Sequence, residues 1–132
     1  MDRLFFPFRY EGLTFVPLAR IGLKTRDGKV DYDFLVDTGA DFTTLPKYMA
    51  VRLDLNLNSL KQSWATGLGG YTVRTWLTKL DLILSGGVVV NVNVSITNEN
   101  STPFLLGRAD LLDVLYNWNF NATRKQIEFT KI

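Results

Sequence analysis

The sequence predicts an all-β, mostly antiparallel domain with one short helix near its C-terminal end. Three observations carry this expectation. Val88 to Ile96 alternates strictly, with Val88, Val90, Val92, Val94 and Ile96 on one side and Val89, Asn91, Asn93 and Ser95 on the other, the period of a half-buried strand. Thr75 to Leu84 places Leu80, Leu82 and Leu84 on one face in the same way. Compact turn signals separate the apolar segments, at Arg26-Asp27-Gly28-Lys29, Ser85-Gly86-Gly87 and Asn121-Ala122-Thr123-Arg124-Lys125.

Leu4 to Tyr10 is aromatic and interrupted by Pro7, so it reads as an edge strand or an arm on the body. Phe15 to Lys24 and Val30 to Val36 form a hairpin around Gly28. Lys47 to Leu55 has Met49, Ala50 and Leu53 at helical spacing and suggests a short helix or turn. Leu57 to Trp64 re-enters a strand, and Gly67, Gly69 and Gly70 follow between Trp64 and Tyr71. That stretch reads either as a stiff hairpin with a loose tip or as an ordinary turn. Phe104-Leu105-Leu106 is apolar throughout, as a strand covered on both faces would be. Ala109 to Tyr116 sets Leu111, Leu112 and Leu115 on one helical face, with Asp110 in the first turn, and Tyr116 to Ile132 closes the chain as a hairpin.

The 132 residues fit one domain, 1–132. At 46% hydrophobic and 21% charged, the composition is that of an ordinary globular protein and argues against a disordered chain. The net charge is only +2 and no basic run with interleaved aromatics occurs, which argues against a nucleic-acid partner. Cysteine and histidine are both absent. Thiol nucleophiles, imidazole bases and the commonest metal ligands are therefore excluded, and any catalysis falls to Asp, Glu, Lys, Tyr, Ser or Thr. No apolar run approaches a membrane span and no signal segment opens the chain, so the expectation is a cytoplasmic protein without membrane contact.

In Phe34-Leu35-Val36-Asp37-Thr38-Gly39-Ala40-Asp41 an apolar run leads directly into an acid, a hydroxyl and a glycine. A carboxylate at the end of a buried strand must be hydrogen-bonded, paired or partly protonated. The stretch taken alone leaves two readings open: a polar turn closed by the Asp37 side chain, or an acid held for chemistry.

Three separated stretches together decide between them. Leu35 to Asp41, Thr66-Gly67-Leu68-Gly69-Gly70-Tyr71-Thr72-Val73-Arg74, and Phe104 to Leu112 with its Gly107-Arg108 resemble, in order and near spacing, the catalytic loop, flap and final strand of the retropepsin-like aspartic proteases. The resemblance covers about Phe15 to Phe120. It implies an acid-protease half-barrel and a homodimeric endopeptidase, each subunit giving one Asp37 to a water-activating pair, with no metal or cofactor. The partners implied are a second copy and an extended peptide. Asp37 would activate water, Thr38 would lock the two loops together, and Gly39 would admit the substrate backbone. Leu35, Gly39, Ala40, Asp41, Thr66, Gly67, Leu68 and Leu105 would contact substrate, Leu35 and Leu105 having core packing as their rival role. Asp41 and Arg108 would form the family's buried structural ion pair.

One position and two departures from the family's pattern stand out. Ala40 offers no hydroxyl to the acid where some relatives carry Ser or Thr, which predicts activity reaching weakly acidic or near-neutral pH. Thr66 replaces a flap glycine, implying a stiffer flap. The chain also continues through Asn121 to Ile132, so the closing hairpin is expected to build the dimer sheet. The competing function is a peptide-binding or assembly module on the same fold without turnover.

Overall fold

The computed structural model describes residues 2–67 and 69–132. Alternating apolar residues set the strands, in chain order β1 (Arg3–Pro7), β2 (Arg9–Glu11), β3 (Thr14–Val16), β4 (Leu18–Thr25), β5 (Gly28–Val36) and β6 (Thr43–Leu45). One helical turn, α1 (Met49–Arg52), and a 3-10 turn at Leu57–Ser59 precede β7 (Lys61–Thr66), β8 (Thr72–Ile83) and β9 (Val89–Thr97). Then come β10 (Leu105–Leu106), β11 (Tyr116–Asn121) and β12 (Gln126–Lys131). No helix among the described residues is long and apolar enough to cross a membrane.

The main sheet has the order β4-β5-β10-β6-β9-β8-β7, and β4 also meets β8 at Gly22 and Ile83, so the sheet closes on itself. The strands approach closely there: a Cβ on Gly22 would stand 3.3 Å from the Ile83 Cβ, tighter than ordinary contact. The alternation in β8 and β9 points Leu82, Val92, Val94 and Ile96 inward, where they pack with Phe34, Leu45 and Leu106 in the core. A second sheet, β1-β12-β11, buries Leu4, Phe6, Ile127 and Phe129 against the same core. The β2-β3 ribbon lies beside β4 and β5, clamped by Arg9, whose Nη1 and Nη2 donate to Asp33 at 2.6 and 2.9 Å.

The all-β class, both principal hairpins and the closing hairpin agree with expectation. The helix over Ala109 to Tyr116 does not form. Turns occupy that stretch, with Asp110 and Asp113 left-handed at φ 62° and 63°. The Asp110 carboxylate accepts from the Asn93 backbone N–H at 2.8 Å and its side-chain amide at 2.7 Å, an anchor on a neighbouring strand that outweighs weak local helix preference. Leu111 and Leu112 are still fully buried, so the apolar pattern is satisfied without a helix. The strand expected from Leu57 begins only at Lys61, after the 3-10 turn. β10 covers just two residues, with Leu106 buried and Leu105 half-buried, so only one of its faces is fully sealed.

Candidate active site

Alternation along β5 buries Phe34 and Val36 and turns the half-buried Leu35 to the opposite face. The neighbouring strand β10 runs parallel, pairing Leu105 with Leu35 and Leu106 with Val36, and β6 pairs Thr44 with Leu105 from the other side. The Asp37 N–H donates to the Leu106 carbonyl at 3.0 Å and extends this ladder by one residue. Asp37 therefore follows Leu35 on the face away from the core. The chain then turns back: the Ala40 N–H donates to the Asp37 carbonyl at 3.1 Å, and the Gly39 N–H donates to Asp37 Oδ1 at 3.0 Å. Asp37 and Thr38 are half-buried and Gly39 is exposed. The Thr38 hydroxyl makes no hydrogen bond with the described residues of its own chain.

A second crossing of the backbone fixes this loop. The Arg108 N–H donates to the Ala40 carbonyl at 3.0 Å, the Ala109 N–H to the Asp41 carbonyl at 2.8 Å, and the Gly107 N–H to Thr43 Oγ1 at 3.2 Å. Gly107 is required by contact: a Cβ there would stand 2.4 Å from the Phe42 carbonyl carbon and oxygen. Arg108 Nη2 donates to Asp41 Oδ1 at 3.1 Å, so the expected ion pair forms. It is not buried, however, with the Asp41 side chain 78% and that of Arg108 50% exposed. Both leave loops at the open end of the sheet, beside a shallow depression of about 310 Å³ that Leu112 and Val114 also line.

The β7-β8 hairpin carries the second group of expected residues. Thr66 pairs with Thr72, the Gly67 N–H donates to the Tyr71 carbonyl at 3.0 Å, and Gly69 and Gly70 adopt φ of 86° and 80°. That backbone suits glycine and little else. Leu68 lies outside the described residues. Trp64 and Tyr71 are 63% and 64% exposed, and the Arg74 guanidinium sits 5.5 Å from the Trp64 ring centroid. The structure thus gathers Leu35, Asp37 to Asp41, Leu105 and Arg108 around one loop, and holds Thr66 and Gly67 on a separate hairpin.

Two neighbours of the loop have roles the sequence reading did not give them, Thr43 having none there and Asp110 only a place in the first turn of a helix. Thr43 is fully buried and serves Gly107, and Asp110 ties the following turn to Asn93. The Asn93 hydrogen bonds, backbone first and side chain second, hold the Asp110 carboxyl below its ordinary range against a small opposing effect of burial. No local pattern announces either role, because both residues act through contacts distant in sequence.

Residues 25–112 match the family described as "gag-polyprotein putative aspartyl protease". Among solved structures, a retropepsin-like aspartic protease from Rickettsia conorii superposes with a TM-score of 0.70 at 18% identity, over 97% of this chain and 98% of that one. EIAV protease complexed with the inhibitor HBY-793 gives 0.53 at 21% identity, over 76% and 88%. No curated protein sequence matches the chain.

Proposed function

The chain belongs to this gag-type aspartyl protease family and has a retropepsin-like fold, and on that premise we propose that it is a homodimeric aspartic endopeptidase. The observation that carries the reading is a single Asp-Thr-Gly turn whose acid stands on the open face of the sheet, one per chain. Peptide hydrolysis by carboxyl groups needs an acid and a base together. Two carboxyls at contact distance share one proton, since both cannot ionise side by side. A second copy related by a twofold axis supplies the missing Asp37.

In this mechanism the ionised Asp37 takes a proton from water as its oxygen adds to the peptide carbonyl, while the protonated Asp37 of the other subunit gives its proton to that carbonyl oxygen. Collapse of the tetrahedral species breaks the C–N bond as a proton passes to the leaving nitrogen. The Thr38 hydroxyl, unbonded among the described residues of its chain, would reach the opposing loop. The exposed Gly39 leaves room for the substrate backbone, and the β7-β8 hairpin would close over it as an added strand. The seam falls to the closing hairpin: β11 is an edge strand and bears the exposed Trp118 and Phe120.

The test is digestion of a peptide library at several pH values, with and without a pepstatin-type inhibitor, by the native chain and Asp37→Asn. Cleavage that the inhibitor blocks and the substitution abolishes, a loss of at least about 1,000-fold, is expected. Cleavage that survives Asp37→Asn would remove the mechanism, and its absence from the native chain at every pH would leave a peptide-binding module.

A further inference from the structure

The register of the main sheet defines what surrounds Leu35 and Leu105 on the open face. Residues paired across neighbouring strands present their side chains to the same side. Leu35 pairs with Leu105, Leu105 with Thr44, Thr44 with Ser95, and Ser95 with Leu77. This row begins one strand step from Asp37 and changes character as it leaves the acid, from two leucines to two hydroxyls. Thr75 lies two residues along β8 from Leu77 and so on the same face, paired with Thr97. Thr44 is half-buried, whereas Ser95, its neighbour in the row, and Thr75 are buried. Thr44 Oγ1 donates to the Phe42 carbonyl at 2.9 Å. Its proton is thereby committed and its oxygen lone pairs remain as acceptors.

We propose that Thr44, with Ser95 next to it in the row, forms a hydrogen-bonding subsite beside the apolar one of Leu35 and Leu105, so that the substrate carries a hydroxyl or amide side chain next to a large apolar one. The inference rests on the peptide-binding part of the function above. An aliphatic side chain at this place would cover the Thr44 oxygen without giving it a donor, the costly half of the hydrogen-bond balance. A Ser, Thr or Asn side chain supplies that donor. One net hydrogen bond in a partly solvated pocket corresponds to a preference of roughly fivefold to tenfold.

Two labelled peptides of identical sequence, Thr in one and Val in the other beside a central Phe, are titrated in both orders into full-length chain carrying Asp37→Asn. They are then titrated into the same chain with Thr44→Val or Thr44→Ser added. The Thr peptide is expected to bind about fivefold to tenfold tighter, with the preference lost or inverted in Thr44→Val and retained in Thr44→Ser. Equal affinities, a Val preference in the starting chain, binding of neither peptide, or a preference indifferent to Thr44→Val would overturn the proposal. A Thr preference in binding, alongside a native chain that cleaves nothing, would leave the subsite standing and remove only the hydrolytic reading.

Discussion

Around Asp37 the backbone is tied at three places to the Leu106–Ala109 segment, whereas the described residues at the tip of the β7-β8 hairpin are tied only to one another. Leu106, Arg108 and Ala109 hold the loop from outside at 2.8 to 3.0 Å, and Gly107 is pressed against Phe42. The hairpin tip has Gly67 bonded to Tyr71 and Gly70 to Gly67, exposed residues on both arms, and open space around Gly69. The difference separates two demands of the proposed chemistry. A group that must meet its twin within hydrogen-bond distance needs a rigid mount, and a cover that must admit a peptide needs freedom to open.

Gly107→Ala sharpens this contrast most. The new methyl collides with backbone rather than a movable side-chain end, so a loss of about 3 kcal/mol in urea unfolding is expected. Gly69→Ala meets nothing within 4 Å and strains only its own left-handed backbone, for about 1 kcal/mol. Equal losses at the two positions would erase the distinction between mount and cover.

The β2 arm gives an intermediate case. Burial pushes the Asp33 carboxyl up, but hydrogen bonds and charge from Arg9 and Arg20 together outweigh it and leave it below its ordinary range. A carboxyl depressed in the folded state stabilises it fully above the unfolded value near pH 4 and loses that contribution as pH falls through the folded one. Asp33 is about one-third exposed, so screening limits the contribution to about 1 kcal/mol. Asp33→Asn should lower the urea midpoint at pH 6 and leave it almost unchanged at the most acidic pH where the chain still folds. A uniform loss at every pH would assign the effect to packing. The smallest change is expected for Trp64→Ala, which removes an exposed cation-π contact, about 0.5 kcal/mol. Its effect should fall on peptide cleavage more than on the urea midpoint, and the reverse would make the hairpin a structural element.

The sequence made legible whatever is local. Period-two alternation located β8 and β9, Gly28 located the first hairpin, and the run from Phe34 to Asp41 located the acid at a strand end. Distant pairings were illegible for the same reason. Nothing near Asp110 announces that Asn93 will claim its carboxylate, so three leucines at helical spacing read as a helix although burial of Leu111 and Leu112 is achieved by turns. The Asp41 and Arg108 pairing was implied by the resemblance alone, and its exposure depends on which loops face the open end of the sheet. The partnership of Leu105 with Thr44 follows from strand order, which alternation alone does not give.

Subunit mixing tests most directly the claim that each active centre takes one Asp37 from each of two chains. Native chain and Asp37→Asn are unfolded together, refolded at varied ratios with total protein fixed, and assayed for peptide cleavage. If two native chains are needed per centre, activity follows the square of the native fraction, about one quarter at equal amounts. Activity proportional to the native fraction, about one half at that point, would show that one chain suffices and would contradict the account.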